Sequence, residues 1–182
     1  VIVLPDSDHL IPLLPEISNL IKDFNVSMGY PLRRSSLYSL FEFVFKAQLS
    51  RKGKRYYAKD YLKVIRHPFI KNLKLSKDAR ATRILVHKIE EILTGKERTE
   101  MSGSLFFTLD DILNLDELYD LSSEMIKRLQ IKASKDDLKE IIRQMHEIHF
   151  DNWEMIGDFN DFADKLEQFL DIVVNKSIMK NY

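Results

Sequence analysis

The chain has 182 residues, of which 45% are hydrophobic and 31% are charged, and its formal net charge at pH 7 is zero. This composition is typical of a globular protein with a real core and argues against an intrinsically disordered chain. The lack of cysteine excludes disulfides and thiolate metal sites. No apolar run approaches the roughly 20 residues that cross a bilayer, and no signal peptide is recognisable, so we expect a cytoplasmic protein that does not contact a membrane.

Charge is distributed unevenly along the chain. Residues 1–98 contain 19 Lys or Arg and 10 Asp or Glu, a net charge of +9, whereas residues 99–182 contain 9 and 18, a net charge of −9. A basic half can face phosphates while an acidic half faces solvent or another protein. The alternative is that the two halves pair with each other or with the rest of a longer protein.

The beginning of the chain predicts a strand, a helix and a second strand. Residues 1–4 (VIVL) and 24–28 (FNVSM) have the apolar, β-branched character of strands, and about 20 residues between them allow one crossover helix. We therefore predict a small parallel β-α-β unit within residues 1–34. Because the chain opens directly on a strand-like run without a methionine, we expect it to be a segment of a longer protein.

From residue 35 the apolar pattern becomes helical and stays so. Over residues 35–182 it predicts a domain of about six helices, which makes the fold mainly α. Two helix starts have the sequence of a capping box, Thr108 with Asp111 and Ser134 with Asp137. Two of the predicted buried stripes are Leu118, Leu121, Met125 and Leu129, and the longest one, Phe159, Phe162, Ala163, Leu166, Phe169, Leu170 and Val173.

No motif indicates a catalytic centre in this segment. The five glycines are scattered, and none precedes a Lys-Ser/Thr pair as in a phosphate-binding loop. His146 and His149 could share a metal with Asp151, but no further ligand is apparent, and the alternative is a helix end with exposed histidines. We predict no catalytic residue, no metal and no cofactor here.

The stretch SRKGKRYY over residues 50–57 combines cations with tyrosines. Lys52, Lys54 and Arg55 could hold phosphates while Tyr56 stacks on bases. The alternative is a solvated loop whose tyrosines pack on the core. With Arg33 and Arg34, which follow the turn MGYPL, these residues form the set of candidate DNA contacts.

Residues 1–70 resemble the second motor lobe of UvrD-like superfamily-one helicases, and most nearly the AddB/RexB-like subunits of helicase–exonucleases with a PD-(D/E)XK nuclease domain. The resemblance is carried by VIVLPDSDHLIPLL, NVSMGYPLRRSSLYSLFEFV and YYAKDYLKVIRHPFI. It implies that residues 1–34 are the strand-helix-strand edge of a RecA-like lobe and that residues 35–182 are an inserted helical domain. The parent protein would use ATP and a divalent metal.

One departure from the family pattern bears on activity. Active relatives carry an arginine just after the first strand, whereas this chain has Pro5, Asp6, Ser7 and Asp8. A carboxylate there would repel a nucleotide phosphate instead of stabilising its developing charge. The departure argues against ATP hydrolysis by the motor and favours a scaffolding role.

The resemblance therefore implies a non-catalytic part of a DNA-repair and recombination helicase–exonuclease. Its expected partners are DNA, above all a single strand, and an AddA-like subunit. The alternative function is a helical protein–protein interaction module with no nucleic-acid role, which the acidic half and its long Phe/Leu stripe favour.

Overall fold

The structure is a computed structural model, and it describes residues 2–21 and 32–176. Within these ranges the chain is mainly helical, with nine α-helices and one antiparallel pair of two-residue strands, Tyr56–Tyr57 (β1) and Phe106–Phe107 (β2). The mainly α fold class is confirmed. The helices are Leu10–Leu20 (α1), Ser36–Leu49 (α2), Ala58–Ile65 (α3), Pro68–Lys71 (α4), Ala79–Leu93 (α5), Leu109–Leu113 (α6), Asp116–Arg128 (α7), Lys135–His149 (α8) and Phe159–Lys176 (α9).

The predicted parallel β-α-β unit is not seen. Residues 2–4 have no regular secondary structure, although α1 follows them as expected, and the second predicted strand at residues 24–28 lies outside the described residues. Extended backbone becomes a strand only when a neighbour takes its N–H and C=O groups, and an isolated pair of strands is marginal at best. The one sheet in the described ranges is antiparallel and joins other residues.

The chain divides into two compact units, Val1–Ser39 and Leu40–Tyr182. The first contains α1, preceded by a 3-10 turn at Ser7–His9, and a second 3-10 turn at Leu32–Arg34. α1 continues through Pro15, which lies in the middle of the helix. The predicted domain boundary between residues 34 and 35 stays a prediction.

α5 is the central helix of the second unit. It contacts α3, α4, α7 and α8, and Leu85, Ile89 and Ile92 on it are fully buried at helical spacing. Burying each such side chain contributes about 1.5–3 kcal/mol. Thr82 is a buried polar residue of the same helix. Its hydroxyl donates to the Leu73 carbonyl at 3.0 Å, so the buried hydroxyl has a hydrogen-bond partner.

Both predicted capping boxes are present. The Thr108 hydroxyl accepts from the Asp111 N–H and the Asp111 carboxylate accepts from the Thr108 N–H, at the start of α6. Ser134 and Asp137 exchange the same pair of bonds at the start of α8. Each box satisfies two backbone donors that a helix start leaves without partners, so these two starts are fixed locally.

The predicted stripe of α7 is shifted from the observed one. Leu118 is buried as expected, but the next buried positions are Tyr119, Ser122 and Ile126, and Leu129 is half exposed. The Tyr119 hydroxyl donates to the Leu113 carbonyl at 2.8 Å, which anchors this face of the helix. Burial also raises the pKa of Tyr119 to about 12.

His146 and His149 are core residues rather than exposed residues of a helix end. Both are almost completely buried near the end of α8. His146 Nε2 lies 2.8 Å from the Tyr61 hydroxyl, and His149 Nδ1 donates to the Met145 carbonyl at 2.8 Å. Burial lowers the pKa of His146 to about 3 and that of His149 to about 4, so both are neutral at pH 7.

These histidines make stability depend on pH. In the unfolded chain each binds a proton near pH 6.5, whereas the folded chain resists protonation until about pH 3 or 4. The free energy of unfolding is therefore highest above about pH 6.5. It decreases as the pH falls below that value, by up to about 1.4 kcal/mol per histidine per pH unit. We expect the free energy of unfolding, measured with urea at pH 7 and pH 5, to fall steeply between the two values.

Two variants check which residues cause the free energy of unfolding to depend on pH. His149→Leu should remove about half of the pH dependence while lowering stability at pH 7. His87→Gln is the matched control, because the His87 side chain is exposed and pairs with Glu91 on the helix surface. An unchanged slope in His149→Leu would contradict the assignment to the buried histidines.

Candidate nucleic-acid interface

The pairing of β1 with β2 decides which aromatic side chains reach solvent. Tyr56 is opposite Phe107 and Tyr57 is opposite Phe106. Successive residues of a strand point to opposite faces. Tyr56 and Phe107 are accordingly buried, whereas Tyr57 and Phe106 are partly exposed, with ring centroids 5.3 Å apart.

The inward pair belongs to an aromatic cluster formed by Tyr56, Tyr61, Phe107, His146 and Phe150. The Tyr61 ring lies 4.9 Å from those of Phe107 and Phe150, and the Tyr56 ring lies 5.2 Å from that of Phe150. Such contacts contribute about 0.5–1.5 kcal/mol each beyond their burial. The cluster therefore fixes the two short strands on α3 and α8.

Tyr56 cannot stack on a base, which corrects the sequence prediction for this residue. It has no exposed surface, and its hydroxyl donates to the Glu154 carboxylate at 2.9 Å. Burial and the neighbouring Glu154 raise the pKa of Tyr56. Arg51 is occupied as well, since its guanidinium pairs with Glu154 at 2.5 Å and lies over the Tyr56 ring. For Tyr56 the alternative of a tyrosine packed on the core is correct.

The cations that follow Arg51 are presented by a tight turn. Lys52 and Arg55 exchange backbone hydrogen bonds of 2.9 and 3.2 Å, which closes the chain around Gly53 and Lys54. Gly53 has a φ of +62°, in the left-handed region that favours glycine. The turn thus brings Lys52, Lys54 and Arg55 together, and all three are exposed.

These three cations form no ion pair in the parts of the chain that the structure describes. No carboxylate there lies within 4.0 Å of Lys52, Lys54 or Arg55, although Arg51 beside them is paired. The Arg55 guanidinium donates to the Phe106 carbonyl at 3.1 Å, and the Lys52 ammonium lies 4.5 Å from the centre of the Phe106 ring. The turn is therefore held against β2 with its cations outside any ion pair. Lys54 also lines a cavity together with acidic side chains, those of Asp110, Glu147, Asp151 and Glu154.

Together these side chains form a surface that we call the basic ledge: Lys52, Lys54, Arg55, Tyr57 and Phe106. An open groove of about 490 Å³ lies at part of the ledge and is lined by Lys52, Arg55 and Phe106, together with Ser104 and Leu105. Leu105 is 63% exposed and extends the apolar strip. Cations beside half-exposed rings are the combination that binds single-stranded nucleic acid without sequence preference, through phosphates and base stacking.

Sequence reasoning missed Phe106 and chose Tyr56, the buried tyrosine, instead of the partly exposed Tyr57. The signal for Phe106 was the apolar triplet of residues 105–107, between a Ser-Gly-Ser loop and the capping box at Thr108. The choice of Tyr57 over Tyr56 requires the strand partner, because alternation says only that the two rings face opposite ways.

Arg33 and Arg34 belong to the first unit, in the 3-10 turn Leu32–Arg34, and both are exposed. Arg34 forms an ion pair with Asp8. The structure therefore brings together three of the candidate DNA contacts, Lys52, Lys54 and Arg55, and places these two arginines in a separate unit.

The described residues also bear on metals and membranes. Among them, no three His, Asp or Glu side chains meet in a way that could hold a metal ion. None of the helices in residues 2–21 and 32–176 has both the length and the apolar character that a bilayer crossing requires.

Comparison of the chain with protein-family models, curated proteins and solved structures gives no match. The similarity of residues 1–70 to AddB/RexB-like subunits stays a hypothesis.

The Tyr56 hydroxyl should matter for stability, whereas that of Tyr57 should not. Tyr56→Phe removes a hydrogen bond to a carboxylate, and we expect it to lower the free energy of unfolding by about 1 kcal/mol. Tyr57→Phe is the matched control, since the Tyr57 hydroxyl has no hydrogen bond within the described ranges, and it should change stability by less than about 0.5 kcal/mol. Urea unfolding at pH 7 measures both, and equal effects would contradict the network.

Proposed function

We propose that this chain is a non-catalytic part of an AddB/RexB-like DNA-repair helicase–exonuclease and that its basic ledge contacts single-stranded DNA. The observation that supports the proposal is the ledge itself, three exposed cations without ion pairs beside two partly exposed rings. The family assignment rests on the resemblance of residues 1–70. Within it, residues 1–34 belong to the edge of a RecA-like lobe, and the parent protein uses ATP and a divalent metal.

The chemistry of the ledge favours a single strand over a duplex. Phosphates are attracted by any cluster of Lys and Arg, whatever the form of the nucleic acid. Tyr57 and Phe106 add a stacking surface that only unpaired bases can reach. The Lys52 ammonium can leave the Phe106 ring for a phosphate because its four-carbon side chain rotates freely.

The proposed role is to guide a strand and to brace an AddA-like partner subunit, without chemistry at the ledge. The proposed location is the cytoplasm, where such a protein would meet DNA. The exposed Arg33 and Arg34 are further proposed phosphate contacts, and the ion pair of Arg34 with Asp8 leaves Arg33 the better candidate of the two.

Substitution of the turn cations tests the proposal. In the triple variant Lys52→Gln, Lys54→Gln and Arg55→Gln, we expect binding of fluorescent oligo-thymidine to weaken by at least about tenfold at low salt. The dependence of log K on log salt should also become shallower, by about 0.7 for each phosphate that the variant no longer neutralises. Fluorescence anisotropy at several salt concentrations measures both quantities.

A second triple variant keeps the same change in net charge. Lys71→Gln, Lys127→Gln and Lys132→Gln also removes three exposed cations but leaves the turn intact, and we expect it to retain binding. Tyr57→Ala should weaken binding by about 1–3 kcal/mol if one base stacks there, whereas Tyr56→Phe should not change it. Equal weakening in the two triple variants, or no binding by the unaltered chain, would overturn the DNA contact.

A further inference from the structure

The start of α9 exposes large apolar side chains that the sequence pattern assigned to the core. Phe159 is the first residue of the longest predicted stripe, yet 80% of its surface is exposed. Met155, just before the helix, is 83% exposed, and Ile156 between them is exposed as well. We call these three residues the apolar step.

The backbone beneath the apolar step is fixed. The Gly157 N–H donates to the Asp161 carboxylate at 2.9 Å, and the Asp161 N–H donates to the Asp158 carboxylate at 2.9 Å. The Lys165 ammonium bridges the Asp161 carboxylate and the Met155 carbonyl. The loop is therefore held with its apolar side chains outward. Because it is already ordered, a partner that binds there loses less free energy to the ordering of the loop.

The apolar step is continuous with a well-packed part of the second unit. The Phe159 ring centroid lies 6.3 Å from that of Phe162, which lies 6.1 Å from the Trp153 ring. Trp153 is buried, and its indole N–H donates to the Ile148 carbonyl at 3.0 Å. A partner seated on Phe159 would therefore lie beside rings that reach into the core.

The surroundings of the apolar step are strongly acidic. Residues 147–171 contain eight Asp or Glu and one Lys, a net charge of −7. The single cation, Lys165, is occupied by Asp161. Asp158, Asp164 and Glu167 are exposed on or beside the start of α9. A field of this sign repels phosphates and anionic lipid headgroups and attracts a basic surface.

We propose that the apolar step and its acidic surroundings form a docking surface for a basic amphipathic helix of a partner protein. Apolar side chains of that helix would cover Met155, Ile156 and Phe159, and its Lys or Arg side chains would lie against Asp158 and Asp164. Amphipathic helices bind apolar protein surfaces through a few anchors at helical spacing. The proposal is independent of the DNA contact, which uses other residues.

A synthetic helix of about 18 residues, with leucine on one face and lysine on the other, is a direct probe. We expect the full chain to bind it, with affinity that falls as salt rises, and to ignore the same peptide with glutamate in place of lysine. The double variant Met155→Ser and Phe159→Ser should weaken binding at least about tenfold. Leu129→Ser is the matched control, because Leu129 is a half-exposed leucine outside this surface.

The outcomes separate this proposal from its competitors. Circular dichroism verifies that each variant is folded. The double variant Asp158→Asn and Asp164→Asn should weaken binding of the lysine peptide, because it removes two negative charges and keeps the apolar side chains. Equal binding of the lysine and glutamate peptides, or equal weakening in Leu129→Ser, would overturn the proposal. So would light scattering that shows a dimer dissociated by Met155→Ser and Phe159→Ser, because the occupant would then be a second copy. Oligo-thymidine should not displace the peptide, whether or not the basic ledge binds it.

Discussion

The pairing of Tyr56 with Phe107 is the contact on which the rest of the second unit's chemistry depends. Two strands of two residues each have too few hydrogen bonds to persist alone. They persist because the inward rings join Tyr61 and Phe150 in the aromatic cluster. Once that pair faces inward, alternation leaves Tyr57 and Phe106 outward beside the basic turn. The same constraint that completes the core therefore also presents the basic ledge.

Sequence reasoning succeeded where the determining interactions are local. The capping boxes at Thr108 and Ser134 involve residues three apart, so the sequence alone contains both partners. For the same reason the mainly α class could be predicted, and the cluster of cations in residues 50–57 could be recognised as a candidate site.

Sequence reasoning failed where the position of a side chain depends on residues far away in the chain. β1 and β2 are about 50 residues apart in the chain, so no local pattern could say that Tyr56 turns inward and Tyr57 outward. For His146 and His149 the sequence suggested exposure or metal binding, but α8 is covered on that side by Tyr61 and Phe169. The stripe of α9 shows the opposite error. Helical periodicity predicts an apolar face but not how far neighbouring elements extend over it, and Phe159 lies beyond them.

Zero net charge conceals two surfaces of opposite sign, and one ion pair joins the two segments of chain that carry them. Arg51, which precedes the basic turn, binds Glu154, which precedes the apolar step, and Tyr56 donates to the same carboxylate. With Arg51 and Glu154 neutralised by each other, Lys52 and Lys54 are left to attract anions and Asp158 is left to attract cations. Loss of the Glu154 carboxylate would free Arg51 and leave Tyr56 without its acceptor, so it would disturb both surfaces. Like charges within each surface repel, and the carboxylates of Asp110, Glu147 and Asp151, which share a cavity with Lys54, offset part of that repulsion on the basic side.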